Sequence, residues 1–176
     1  ISSTCSGSRR RSFLRKLTYM AERDGDGWVD CQCGSRHWGK YGAAGVVLLD
    51  PDSRSILMQL RAEWTHGGRV WGIPGGARDS HETPIESALR EMSEELSIHP
   101  DLVEVVHDNI WADHEDWSYH TVIAVTSREI DYQVNEEAEL AEWIEFHKVS
   151  ELDLHPGFAS NWQDILLAIE NVLTKN

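Results

Sequence analysis

Basic residues are scarce: 16 lysines and arginines face 30 aspartates and glutamates, for a formal net charge of −14. Nothing in that balance resembles a basic footprint, which excludes nucleic acid as a polyanionic partner. Cysteines number only three, an odd count that gives no disulfide framework and suits reduced thiols in a cytoplasmic protein. Long hydrophobic runs are missing too, and no apolar stretch approaches the length of a membrane span. What is present suits a folded, soluble protein. The chain has 176 residues, 40% of them hydrophobic, with eight tryptophans, which is enough for one domain with a real core.

The charge is unevenly placed. Residues 1–19 hold five basic residues (Arg9, Arg10, Arg11, Arg15, Lys16) and no acid, which leaves the remainder at −19. A divalent cation suits such a body. The stretch SRRRSFLRKL (8–17) resembles a twin-arginine export signal, but the apolar segment that must follow is replaced by Met20-Ala21-Glu22-Arg23-Asp24. Residues 1–19 are therefore expected to be a disordered basic extension, upstream of a natural start at Met20. Residues 20–40 read as an irregular lead-in with at most a short hairpin, and 41–176 as a single domain.

Within that domain YGAAGVVLLD (41–50) reads as a buried strand and RSILMQLRA (54–62) as its hairpin return. A short strand is expected near 69–73 amid loop chemistry, longer strands over about 102–113 and 118–127, and a last strand near 141–146. Two helices are expected, over about 84–96 and about 158–174, the second carrying Trp162, Ile165, Leu166, Ile169, Val172 and Leu173 at helical spacing. The HPG at 155–157 is expected to start that last helix. The pattern is one mixed α/β domain.

The first helix is well signalled by Thr83-Pro84-Ile85-Glu86, a hydroxyl cap with proline at the first helical position and glutamate three after the cap. Ile85, Ala88, Leu89, Met92 and Leu96 form its apolar stripe. Glu91, Glu94 and Glu95, at i, i+3 and i+4, share another face. Arg90 stands beside them, within reach of Glu86. Like charges at those spacings repel, and they oppose the negative end of the helix dipole. Read as lacking a basic partner one turn away, the three acids suit Mg2+, which takes hard oxygen ligands and shares itself with substrate phosphates. The GIPGG before the helix supplies glycines that let backbone approach a ligand. A solvated acidic helix face is the plain alternative.

The stretch GARDSHETPIESALREMSEELSI (76–98) resembles the Nudix box, G-x5-E-x7-R-E-U-x-E-E-x-G-U, where U is a bulky aliphatic residue. Gly76, Glu82, Arg90, Glu91, Met92, Glu94, Glu95 and Ile98 match, and Ser97 stands where the family has glycine. Serine there is expected to cost about 1 kcal/mol in a left-handed conformation, or to shift the cap.

The resemblance implies a Nudix α/β/α sandwich with a mixed sheet. It also implies Mg2+- or Mn2+-dependent cleavage of a diphosphate joining a nucleoside to another group. By the same resemblance, Glu91, Glu94, Glu95 and the Gly75 carbonyl would hold the metal, with Glu91 also a candidate base. The metal would bridge phosphates, neutralise developing charge and lower the pKa of an attacking water. Arg90 would orient Glu91, while Gly76 and Glu82 would support the site from behind. A further acid, as ligand or base, is expected from Glu136, Glu137, Glu139 or Glu142, and spacing to Glu142-Trp143 favours Glu137.

For substrate contacts the candidates are Arg61, toward a phosphate, and Trp71 and Trp117, toward a base; Trp38 and Trp64 are weaker ones, since tryptophan is more often core. Upstream of the box the coenzyme A motif is not found in 54–74, and His114 stands where ADP-ribose members tend to have proline. Both absences favour a MutT-like nucleoside triphosphate substrate, including oxidised ones. ADP-ribose, dinucleoside polyphosphates and a non-catalytic sensing module stay open as alternatives. The expected partner is a nucleotide-type small molecule, without nucleic acid or membrane, and a homodimer stays open. Finally, Cys31-Gln32-Cys33 with His37 has the residue types of a zinc site. The C-x-C-x3-H spacing lacks a second pair nearby, however, and idle or buried thiols are the default expectation.

Overall fold

A computed structural model describes residues 23–65 and 67–175. The basic extension 1–19, the export-signal reading and the start at Met20 lie outside the described residues. The strands are β1 (Trp28–Asp30), β2 (Arg36–Trp38), β3 (Ala43–Asp50), β4 (Ser55–Arg61), β5 (Trp71–Gly72), β6 (Gly75–Ala77), β7 (Glu104–Asp113), β8 (Ser118–Val125) and β9 (Ala138–Glu145). The α-helices are α1 (Pro84–Leu96), α2 (Phe146–Val149), α3 (Pro156–Ala159) and α4 (Trp162–Leu173).

β3 is buried at every position, because it runs through the middle of the large sheet with a helix over each face. Its continuous apolar reading follows from that double burial. It pairs antiparallel with β4 (Leu48 opposite Leu57) and parallel with β8 (Ala43 opposite Tyr119 to Leu49 opposite Val125), so the sheet is mixed. Alternate residues serve opposite layers. Val47, Leu49, Ile56 and Met58 pack with Trp162, Ile165 and Ile169 of α4. Val46, Leu48 and Leu57 pack with Ala88, Met92 and Leu96 of α1. This is the helix–sheet–helix sandwich.

Past the hairpin β3 and β4 splay apart, and residues 71–77 fill the fork. β5 pairs with β4 (Gln59 opposite Gly72) and β6 with β3 (Gly45 opposite Gly75). Pro74, between them, accepts from Val46 N–H at 2.9 Å. β6 was expected as loop. Its GGA carries no strand propensity, and only the open edge of β3 makes it a strand.

α1 spans the expected residues, with both halves of the Thr83–Glu86 capping box formed. Glu86 is thereby committed to the cap, accepting from Thr83 N–H at 2.8 Å, and Arg90, though within reach, turns to Glu82 instead. At the far end Ser97 adopts φ 58°, ψ 25°, the left-handed conformation, and its N–H bonds Ser93 O at 3.1 Å. Ser97→Gly should therefore stabilise the fold by about 1 kcal/mol, since glycine enters that region without strain. A thermal melt reads this as a rise of several degrees; an unchanged or lower midpoint would contradict it.

The C-terminal helix is broken rather than single. Asn161 Nδ2 and Ser160 Oγ bond the Gly157 carbonyl at 2.8 and 3.2 Å. These side chains compete with the helical ladder, so α3 stops and α4 restarts at Trp162. The lead-in forms the β1–β2 hairpin (Val29 opposite His37). Before it, Gly25 N–H donates to Asp79 Oδ1 at 2.9 Å and Lys40 N–H to the Gly25 carbonyl at 2.8 Å, which lays the segment along the loop preceding α1. Among the described residues no helix is long and apolar enough to cross a membrane.

Candidate active site

The acidic face of α1 turns toward the β3–β4 fork. Glu95 goes deepest, only 3% exposed. Its Oε2 accepts from Gln59 Nε2 on β4 and, at 3.3 Å, from Gly75 N–H on β6. Burial and the neighbouring Glu91 push its carboxyl up to about 8. Glu91 is raised by burial as well, against the opposing pull of Arg90. A Cβ built on Gly76 would stand 2.7 Å from the Glu91 carboxylate, so a side chain there would displace the Glu91 carboxylate from its present place. Glu94 is the solvent-facing member, its side chain 45% exposed.

Arg90 organises the rest. It donates through Nε and Nη2 to the two oxygens of Glu82 at 2.6 and 2.8 Å, and through Nη2 to the Ala77 carbonyl at 2.9 Å. Nη1 bonds Glu91, and Glu94 at 3.4 Å. The Arg90 hydrogen bond holds the Glu82 carboxyl down to about 2. Arg90 stands one turn before Glu94, so the expectation that these acids lack a basic partner one turn away fails for Glu94. Arg23 of the lead-in adds a second cation on Glu94. For Glu91 the partner is its sequence neighbour Arg90, and for Glu95 the bonds come from neutral groups.

Of the four later acids, Glu137 is brought to this cleft. Its carbonyl accepts from Ala62 N–H at 2.8 Å, and Asn135 N–H bonds the Glu95 carbonyl at 2.9 Å, so the loop is tied to the ends of both β4 and α1. Protein packed round the Glu137 carboxyl raises it, Arg61 opposes, and Glu94 raises it further. Glu139 faces Arg69 at 3.8 Å instead. Arg61 lies among these charges, acting on both Glu95 and Glu137, and its Nε is buried without a hydrogen-bond partner.

The tryptophans lie elsewhere. Trp71 packs into the α4-side core, with its N–H on the Asp153 carbonyl at 2.7 Å, across the sheet from Glu95. Trp117 stacks on His37 with ring centres 4.3 Å apart and donates Nε1–H to the Trp38 carbonyl at 3.1 Å. Trp38 packs edge-on against Trp28 at 5.3 Å, and Trp64 is 69% exposed. Sequence reasoning passed over Gln59, since the alternation that places it beside Leu57 marks it only as α1-facing.

Three carboxylates, two of them sheltered, lie within electrostatic reach of one another, with a glycine backbone beside them. Such a set fits a hard divalent cation, which would relieve their mutual repulsion. At Gly75 it is the N–H that is seen to bond, to Glu95.

Comparison with known proteins shows the family. The family described as "NUDIX domain" matches residues 40–166. A Mycobacterium tuberculosis (H37Rv) protein named "Putative 8-oxo-dGTP diphosphatase 3" is 43% identical over 153 residues, covering 82% of this chain and 70% of that one. A Bifidobacterium longum nucleoside triphosphate pyrophosphatase/Nudix hydrolase fusion protein is 35% identical, covering 98% of this chain and 37% of the fusion. Among solved structures, the Nudix hydrolase RenU from M. smegmatis superposes with a TM-score of 0.78 at 37% identity, covering 84% of this chain and 96% of that one. An Ap4A hydrolase from C. elegans shares the fold alone, at a TM-score of 0.61 and 18% identity. With a family match over residues 40–166 and relatives of this closeness, the chain belongs to the Nudix family of pyrophosphohydrolases.

Proposed function

We propose that this chain is a Mg2+-dependent hydrolase of nucleoside triphosphates, oxidised purine nucleotides included, cutting a phosphoanhydride bond. The observation that carries the reading is that Glu91, Glu94, Glu95, Glu137 and Arg61 lie within electrostatic reach of one another at one fork. The name of the 43%-identical mycobacterial relative supports the choice of an oxidised purine nucleotide.

When bound, a divalent cation supplies charge neutralisation at the phosphates and activation of a water. Glu91, Glu94 and Glu95 would hold it, with the Gly75 carbonyl as a further oxygen. Arg90 fixes Glu91 through Nη1, so that its free oxygen keeps one direction. Arg61, whose Nε lacks a partner, offers a donor to a phosphate oxygen. Glu137 or Glu91 takes the proton from water, and the raised affinity of both carboxyls for protons suits that task.

The test is release of the nucleoside monophosphate, followed by chromatography, from 8-oxo-dGTP, dGTP, ADP-ribose and a dinucleoside polyphosphate, with Mg2+ and with excess chelator. Release from the oxidised triphosphate, abolished by chelator, is expected. Turnover unchanged in chelator would sink the metal reading, and preference for ADP-ribose would sink the substrate reading. Glu94→Gln should keep the fold, because Glu94 is the most exposed of the three, and should raise the Mg2+ concentration needed for half-maximal rate about 10-fold or more. Wild-type metal dependence in this variant would remove Glu94 from the ligand set.

A further inference from the structure

Away from the acidic cleft, a second set of ligands gathers where the β1–β2 hairpin meets the turn between β7 and β8. Cys31, Cys33 and His37 each direct one ligand atom to a common place, all within 4.8 Å of one another. Cys33 Sγ lies 3.1 Å from His37 Nε2, and Cys33 N–H points at Cys31 Sγ at 3.5 Å. The hairpin turn is closed by Cys31 N–H on the Ser35 carbonyl and Gly34 N–H on the Cys31 carbonyl, both at 3.0 Å. Gly34 takes φ 85°, the left-handed conformation that this turn requires.

A candidate fourth ligand comes from 83 residues away. Cys31 S–H reaches the His114 carbonyl at 3.6 Å, and Gln32 N–H donates to Asp116 Oδ2 at 3.0 Å. The His114 ring faces the His37 ring with centres 4.9 Å apart and planes 8° apart. Around a tetrahedral zinc, sulfur and nitrogen ligand atoms stand about 3.5 Å apart and two imidazole centres about 5 Å apart, from bond lengths near 2.3 and 2.0–2.1 Å. The Cys33–His37 spacing lies close to the first; the His37 and His114 rings lie in nearly parallel planes, so His114 becomes a ligand only when its ring turns about its side-chain bonds to bring a nitrogen to the centre. Thiolate and imidazole select a borderline-soft ion, whereas the carboxylates of the cleft select a hard one. Mg2+ is therefore a poor competitor for the thiolate site.

We propose that Cys31, Cys33, His37 and His114 bind one Zn2+ as a structural site that staples the β1–β2 hairpin to the β7–β8 turn. Two thiolates neutralise the ion, so the site adds no net charge to this face. It also fixes the ring on which Trp117 stacks.

Metal analysis of the full chain, expressed with zinc and desalted, should give about one zinc per chain that millimolar Mg2+ does not displace. Reduced metal-free protein should take up Co2+ with thiolate-to-cobalt charge-transfer absorption and the intense bands of tetrahedral cobalt. Cys31 is buried and its replacement risks the fold, so the variants are Cys33→Ser, His37→Asn and His114→Asn, with circular dichroism as the folding control. The first two should weaken zinc binding, measured against a chromophoric chelator, by more than about 100-fold, beyond the loss of an outer-sphere partner. His114→Asn should weaken it by at least about 10-fold. Absence of both bound zinc and the cobalt charge-transfer band in reduced wild type would overturn the proposal. So would wild-type affinity in Cys33→Ser or His37→Asn, or a Cys31–Cys33 disulfide in protein kept under thiol reductant. Wild-type affinity in His114→Asn would overturn the fourth ligand.

Discussion

Glu95→Gln should make the metal-free protein more stable than wild type above neutral pH, by about 4 kcal/mol. Glu95 is buried and its bonds come from the neutral Gln59 amide and the Gly75 N–H. The folded chain therefore holds the proton more tightly than the unfolded one, with a carboxyl pushed up from 4.5 to about 8. For such a group the stability is fully present below about pH 4.5 and is lost as pH rises through about 8. Glutamine never ionises and keeps an acceptor for both donors, so it avoids this loss. The gap between mutant and wild type should open between those two pH values and level off above them. Mg2+ reverses the order. Wild type gains RT ln(1 + [L]/Kd), about 2.7 kcal/mol at a hundredfold excess over Kd, while the mutant gains little. Thermal melts in chelator and in millimolar Mg2+, across that pH range, decide it. Equal melting points in chelator at high pH would mean that water reaches Glu95, and equal Mg2+ gains would place the metal elsewhere.

Periodicity was enough to put Glu91, Glu94 and Glu95 on one face of α1, and the Thr83 cap with Pro84 was enough to set its start, because both depend on residues within one or two turns. What periodicity does not carry is depth. Glu95 is buried because Gln59 and Gly75, 36 and 20 residues away, close over it, while Glu94 meets solvent on the same helix. The expected repulsion between helix neighbours is therefore the smaller cost, and desolvation the larger. Likewise β6 was hidden because Gly75–Ala77 becomes a strand through the splay of β3 from β4, and His114 was hidden because no local pattern ties it to Cys31. The pairing of Arg90 with Glu94 lay in the sequence at i, i+4, whereas that of Arg23 with Glu94 spans 71 residues and depends on the path of the lead-in.

Arg90→Lys should be far from conservative and cost about 3 kcal/mol at neutral pH. The guanidinium serves Glu82 with two parallel bonds, and also Glu91, Glu94, the Ala77 carbonyl and Ser87 Oγ. A single ammonium cannot reach all of these at once, and carboxylates left behind in a sheltered place remain charged without a partner. The acid limb gives a second readout. In wild type the Arg90 bond holds Glu82 down to about 2 from 4.5. An acid with a depressed folded pKa adds stability that is present above about pH 4.5 and disappears as pH falls toward 2, about 3 kcal/mol in all. In Arg90→Lys the Glu82 carboxyl should return toward its ordinary value, so urea-unfolding free energies should fall less steeply between those pH values than in wild type. Parallel acid slopes in the two proteins would assign the depression to the Asp79 N–H, which also donates to Glu82 Oε2 at 3.0 Å. Turnover separates positioning from stability. At a temperature where both proteins are fully folded, Arg90→Lys should lower kcat, since Glu91 loses the bond that fixes its direction, while the pH at which the rate half-develops moves with the Glu91 carboxyl. An unchanged kcat and pH profile in the folded variant would leave Arg90 holding Glu82 and the Ala77 strand alone.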